Sequence, residues 1–193
     1  MPALAHKIWT REEYLAFERA SEEKHEYLAG EIYAMVGASR QQNLIVVNIV
    51  TALGVQLKGR PCEIYASDMR VGIPAVGSYT YPDVTAVCGT PEFEDAEVDT
   101  LLNPTVIIEV LSPSTEMYDR GRKFQNYRTL ASLKEYILVS QDTHRIEQFV
   151  RQENEQWLLT DATGPDNRIT LPSINCTLAL ADVYDKVSFE APE

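Results

Sequence analysis

Basic residues are scarce in this chain. Seventeen lysines and arginines stand against 29 aspartates and glutamates, a formal net charge of −12. Non-specific affinity for nucleic acid comes from Lys and Arg neutralising phosphates, so this balance argues against a protein that coats nucleic acid non-specifically. It leaves room for an enzyme that meets nucleic acid through a bound cation. Long apolar runs are also missing: none approaches the ~20 residues that a membrane-spanning helix needs. The first residues, Met1 to Lys7, have no apolar core followed by a small-residue cleavage site and do not read as a secretory signal. Cysteine is rare. Cys62, Cys88 and Cys176 are an odd, widely spaced set with no C-x-x-C pair, which reads as reduced, mostly buried thiols in a cytoplasmic protein. His6, His25 and His144 form no H-x-x-H or Cys/His cluster, which argues against zinc. Ser112 lacks a G-x-S-x-G setting, which argues against an acyl hydrolase, and no P-loop or G-x-G-x-x-G occurs.

What is present suits one globular domain over residues 1–193: 45% hydrophobic and 24% charged residues, in a chain long enough for a proper core. Thr10-Arg11-Glu12-Glu13 fits a capping box and opens a short helix to about Ala20. The runs 25–28 and 31–36 around Ala29-Gly30 read as a β-hairpin. A helix is expected from about Ser39 to Lys58, with a stripe of Leu44, Val47, Val50, Leu53 and Leu57 broadened by Ile45, Val46 and Ile49. Strands follow at 61–66, in the extended piece after Ser67, and at 79–89. In the last of these, Tyr81, Asp83, Thr85 and Val87 would share a face, with Pro82 near the beginning or on an edge. Residues 90–102 are acidic and read as a loop. A helix from about Asp119 to Ala131 and an apolar strand at 135–140 come next. They are followed by a hairpin turning at Glu153-Asn154, an extended piece at 168–171 and a helical turn near 179–184.

One stretch asks for an explanation. Asn103-Pro104-Thr105-Val106-Ile107-Ile108-Glu109-Val110-Leu111-Ser112-Pro113 reads as a buried strand with a carboxylate inside it. Burying a charge is costly unless something pairs with it. The partner could be structural (Arg70, Arg122 or Lys123) or a metal. If the strand carrying Pro82-Asp83 lies beside it, Asp83 and Glu109 can face one point, where two carboxylates repel unless a proton or cation sits between them. A hard divalent cation such as Mg²⁺ prefers such oxygen ligands. Lys123, in the helix that follows, could stabilise charge or orient a nucleophile. The other basic residues there, Arg120, Arg122 and Arg128, read as a solvated face or as phosphate contacts.

At these residues the chain resembles the PD-(D/E)XK nuclease superfamily, and within it the Uma-type branch of restriction-endonuclease-like proteins. The resemblance rests on Glu26 to Ile32, Ser67 to Val71, Tyr81-Pro82-Asp83, Glu109 to Ser114, and Asp119 through Lys123 to Tyr127. It implies an α/β fold, an α+β mixed sheet with a core of α-β-β-β-α-β order over about 39–141, flanked by an N-terminal helix and hairpin and a C-terminal β extension. It implies Asp83 and Glu109 as ligands of Mg²⁺ or Mn²⁺, with the Val110 carbonyl as a third. It also implies hydrolysis of phosphodiester bonds in nucleic acid, with DNA as the expected partner and homodimerisation a natural way to cut two strands. The superfamily lysine stands two residues after the acid, where this chain has Leu111; Lys123 is the substitute. Glu31 is an auxiliary acid, with Glu26 and Asp68 as rivals. The competing expectation is a degenerate copy of the same fold that serves as an interaction or nucleic-acid-binding module.

Overall fold

Thr10 starts the first helix as the capping box requires: its Oγ1 accepts from the Glu13 amide at 3.1 Å, and the Glu13 carboxylate accepts from the Thr10 amide at 2.9 Å. The computed structural model describes residues 7–189, so all but the last residue of the 1–7 segment read above lies outside it. Helix α1 (Arg11–Ala20) is followed by the hairpin β1 (His25–Leu28) and β2 (Glu31–Ala34), which turns through Ala29 and Gly30, both at positive φ. Helix α2 (Arg40–Leu57) is capped by Ser39, whose hydroxyl accepts from the Gln42 amide. Its buried stripe is Ile45, Ile49, Leu53 and Leu57, while Val47 and Val55 face outward. The expected stripe is therefore turned by about one residue, because Ile45 and Ile49 rather than Leu44 and Val47 meet the sheet. A helix with apolar residues on most sides leaves its phase to be decided by packing.

Strands β3 (Cys62–Ala66) and β4 (Arg70–Ile73) come next, then β5 (Ser78–Thr80) and β6 (Val84–Cys88). The sequence suggests one strand over 79–89, but the chain breaks at Tyr81-Pro82-Asp83 and changes sheets. β5 joins a five-stranded sheet of order β2-β1-β5-β4-β7, and β6 joins a six-stranded sheet of order β11-β10-β9-β8-β6-β3. Pro82 supplies the reason, since it has no N–H for either ladder. The acidic loop at 90–102 contains one short strand, β7 (Thr100–Leu101), parallel to β4. β8 (Val106–Val110) and β9 (Glu135–Val139) run parallel, and helix α3, residues 116–127, connects them. Its middle, Asp119–Lys123, is π-helical, and the helix ends sooner than expected. β10 (Arg145–Arg151) and β11 (Trp157–Thr163) form the expected hairpin. β12 (Arg168–Leu171), β13 (Cys176–Ala179) and the helical turn Leu180–Val183 complete the chain.

In the six-stranded sheet, α2-β3-β6-β8-α3-β9 gives the α-β-β-β-α-β order, with β4 and β5 as an excursion into the other sheet. The alternation along β8 separates two cores. Val106, Ile108 and Val110 pack with Ile45, Ile49 and Leu53 of α2. Ile107 and Leu111 pack with Phe124, Tyr127, Leu130 and Tyr136 on the α3 side. Glu109 belongs by period to this second face.

The cysteines correct an expectation. Cys62 and Cys88 are directly opposed in the β3–β6 pair, with Cα atoms 4.0 Å apart, and are joined by a disulfide; Cys176 is free and buried. Spacing along the chain does not reveal a cross-strand register, so the pairing could not be read from sequence. The cytoplasmic reading, which rested on reduced thiols, loses that support. No helix among the described residues is long and apolar enough to cross a membrane.

Candidate active site

Where the chain leaves β5 and enters β6, Asp83 is delivered to the end of β8. One carboxylate oxygen of Asp83, Oδ2, accepts from the Val110 amide at 2.7 Å, and the other, Oδ1, accepts from the Gln42 side chain of α2 at 2.8 Å. Val84 pairs with Ile108, so the same register carried back sets Pro82 opposite Val110. Proline has no N–H to give there, so β6 offers the Val110 carbonyl no ladder donor.

Glu109 is 3% exposed. Its Oε1 accepts from the Tyr127 hydroxyl at 2.9 Å and lies 3.0 Å from Lys123 Nζ. Tyr127 OH also bonds Thr80 Oγ1 of β5 at 2.9 Å. Lys123 is itself buried, and its ammonium meets two further carboxylates: Glu26 of β1 at 3.2 Å and Asp119 of its own helix at 3.5 Å. Asp119, Lys123 and Tyr127 follow one another at four-residue steps, the spacing that stacks side chains on one helix face. The π-helical turns fall between Asp119 and Lys123, a distortion often found at functional sites. Glu26, Asp83, Glu109, Asp119 and Lys123 open onto a cleft of about 580 Å³ lined also by Ser39, Ser112, Tyr118 and Gln141.

Burial dominates the electrostatics. It pushes Glu109 well above the ordinary carboxylate range, against the pull of Lys123 and with the push of Asp119, Asp83 and Glu26. Asp83 is likewise raised by burial, although the Val110 amide, Gln42 and Lys123 oppose the shift. Burial also works against the charge on Lys123, but Glu109 and Glu26 outweigh it and hold the ammonium well above its usual range. A half-buried Asp83 and a buried Glu109, both raised toward protonation, are oxygen donors of the kind that a hard divalent cation would suit.

The residues singled out from sequence meet unequally. Asp83, Glu109, Val110 and Lys123 all line the cleft. Glu31 does not: it is exposed on the outer strand β2 and accepts a hydrogen bond from Tyr33. Glu26, from the same hairpin, lines the cleft. Asp68 is exposed and paired with Lys24 at 2.8 Å. Arg70 points away, into an ion pair with Asp99 at 2.9 Å, and Arg120 is held by Glu116 and Glu147. Arg122 is exposed, and Arg128 lies over the Phe124 ring. Gln42 and Tyr127 were missed as site residues. The four-residue step from Lys123 marks Tyr127, whereas nothing local marks Gln42, which arrives from α2.

A mixed sheet of this order, with an acid at a strand break, a second acid within the next strand and a lysine on the following helix, defines a restriction-endonuclease-like protein. The family model described as Uma2, "Putative restriction endonuclease", matches residues 11–181, and the chain belongs to that family. Two proteins of Synechocystis sp. are similar along most of their length. Uncharacterized protein sll1609 is 39% identical over 163 residues, covering 84% of this chain and 92% of the relative. Uncharacterized protein slr1290 is 38% identical over 178 residues, covering 92% of each. Among solved structures, a crystal structure titled as a putative nuclease belonging to DUF820 from Anabaena variabilis matches with a TM-score of 0.72 at 18% identity. The match covers 91% of this chain and 97% of that one, a likeness of fold.

Proposed function

We propose that the protein is a divalent-metal-dependent endonuclease that hydrolyses phosphodiester bonds in DNA. The observation that carries this reading is the 3.0 Å approach of Lys123 to Glu109. It supplies from α3 the positive charge that Leu111, just past β8, cannot supply. Asp83, Glu109 and the Val110 carbonyl would hold Mg²⁺ or Mn²⁺. When bound, such an ion supplies a polarising charge for a phosphoryl oxygen and a more acidic water. Gln42 and the Val110 amide fix the Asp83 carboxylate, and Tyr127 fixes Glu109. The Lys123 ammonium would stabilise charge on a phosphate oxygen or orient a nucleophilic water. Glu31 is retained only as an outer acid, exposed at the hairpin edge. A homodimer would bring two such clefts to a duplex.

A second reading has one observation in its favour. Glu109 Oε1 is already shared by Tyr127 and Lys123, as in a closed structural ion pair. On that reading the protein is a degenerate copy that binds without cutting. Incubation with plasmid and linear DNA in Mn²⁺, beside Glu109→Ala, separates the two. Nicking or linearisation lost in Glu109→Ala is the expected result. Cleavage that survives the substitution removes Glu109 from the site. Absence of both cleavage and calorimetric Mn²⁺ binding favours the binding module.

A further inference from the structure

Glu26 comes from neither the six-stranded sheet nor α3. It is delivered by β1 of the five-stranded sheet, is 4% exposed, and its Oε1 lies 3.2 Å from Lys123 Nζ. The same oxygen accepts from the Tyr81 amide at 3.3 Å, two residues before Asp83. One carboxylate oxygen thus ties the lysine to the segment that presents the first acid. The contacts of Glu26 are those of an anion meeting a cation and an N–H. Among the described residues no group of three or more His, Cys, Asp and Glu side chains is arranged to hold a metal ion. Glu26 therefore does not read as a third ligand beside Asp83 and Glu109.

An ammonium has three donors, and Lys123 meets three carboxylates: Glu109, Glu26 and Asp119. If Glu109 gives its charge to a cation, one of the three is weakened. Asp119, at 3.5 Å, is already the longest contact and sits on the lysine's own helix. We infer that Glu26 is a positioning residue, the counter-charge that keeps Lys123 in the cleft once Glu109 is engaged. This inference rests on the nuclease reading above. The hairpin β1–β2 thereby belongs to the active site through a residue that touches neither the cation nor the DNA.

The test is a double-variant comparison of Glu26→Gln, Lys123→Met and the pair together, each followed by DNA cleavage kinetics and by Mn²⁺ calorimetry. A buried side chain displaced by about 1 Å typically costs ~100-fold in rate, so Glu26→Gln should lower kcat by about that factor with KM for DNA little changed. Mn²⁺ affinity should stay within about threefold, short of the ~10–100-fold loss seen when groups supporting a ligand are removed. In the Lys123→Met background Glu26→Gln should cost nothing more, because its effect runs through the lysine. A loss of Mn²⁺ affinity of about tenfold or more would make Glu26 a ligand or ligand support and overturn the inference. An unchanged kcat, or losses that add, would overturn it as well. If Glu26→Gln alone fails to fold, the pair carries the test, since the lysine that Glu26 balances has gone with it; a pair slower than Lys123→Met alone sinks the idea. A wild-type chain that neither cleaves nor binds Mn²⁺ overturns the nuclease reading itself and the inference with it, an outcome read in the arm without any substitution.

Discussion

Lys123 Nζ stands 3.0 Å from Glu109 Oε1, and both side chains are almost wholly buried. The pair joins α3 to β8 one residue before its end. Removing one partner of a buried pair leaves an uncompensated charge, typically at a cost of about 3–5 kcal/mol. Lys123→Met should therefore destabilise the chain, and the cost should depend on pH. Burial and neighbouring acids already raise Glu109, and loss of the ammonium raises it further. A carboxyl raised in the folded state binds its proton there more tightly than in the unfolded chain. It therefore contributes stability that fades as pH rises from the unfolded value toward the folded one. Denaturation midpoints of Lys123→Met and the wild type should lie closest near about pH 5 and diverge toward about pH 8. A constant gap across that range would show that Lys123 does not neutralise Glu109.

Gln42 donates to Asp83 Oδ1 at 2.8 Å. Asp83 is raised by burial, and this hydrogen bond is one of the few groups that oppose the shift. Gln42→Leu keeps the helix and the approximate volume but removes the donor. Mn²⁺ affinity should fall about 10–100-fold, the usual scale for a group that orients a ligand. The melting temperature should move little, because Gln42 is only partly buried. Calorimetry at a fixed neutral pH gives the answer. An unchanged affinity would remove Asp83 from the ligand set or show that Val110 alone fixes it.

Much of the fold was legible because local patterns and burial agree. The capping box at Thr10, the hairpin at Ala29-Gly30 and the apolar run at β8 each carry their own signal. Asp83, Glu109 and Lys123 also carry local signals, namely proline punctuation, a charge inside an apolar strand and a short following helix, and they line one cleft. What failed needed long-range information. Pro82 stands just before β6, near a strand beginning as expected, but it also marks a change of sheet, because sequence does not say which ladder a strand joins. Glu31 and Glu26 lie in the same hairpin, and a choice between them depends on which strand lies inward. β1 pairs on both sides, whereas β2 is an edge. That order sets Glu26 against the cleft and leaves Glu31 outside it.

Asp99 anchors the acidic loop. Arg19 of α1 holds it through its Nε at 2.8 Å, and the buried Arg70 lies 2.9 Å from its Oδ1. The Arg70 contact is an ion pair without hydrogen-bond alignment, since Nη2 has no hydrogen-bond partner. The hydrogen bond from Arg19 foremost, then the charge of Arg70, hold the Asp99 carboxyl well below its usual range. The folded value is depressed, so the contribution to stability is present above the unfolded value of about 3.9 and is lost as pH falls below it. Asp99→Asn should lower stability at neutral pH and have a shrinking effect below about pH 4, where the unfolded carboxyl is already protonated. A partly exposed pair is screened, so the Arg19 share should be small, about 1 kcal/mol or less. The greater part should come from stranding Arg70, which is 2% exposed. Urea titrations of both proteins at acid and neutral pH test this. An equal deficit at both would assign the effect to packing.

The Cys62–Cys88 bond ties edge strand β3 to β6, the strand that begins one residue after Asp83. The cysteines are 26 residues apart, and the loop between them contains β4, β5 and Asp83. In the chain-entropy picture, a cross-link closing a loop of that size stabilises by about 3–4 kcal/mol through the unfolded state. Reduction, or Cys62→Ser with Cys88→Ser, should therefore lower the denaturation midpoint. The ladder from Glu63–Val87 to Ala66–Val84 should hold β6 in register without the bond. Mn²⁺ binding should accordingly survive reduction at temperatures well below the lowered midpoint. Loss of Mn²⁺ binding in a reduced but fully folded chain would show instead that the disulfide sets the position of Asp83.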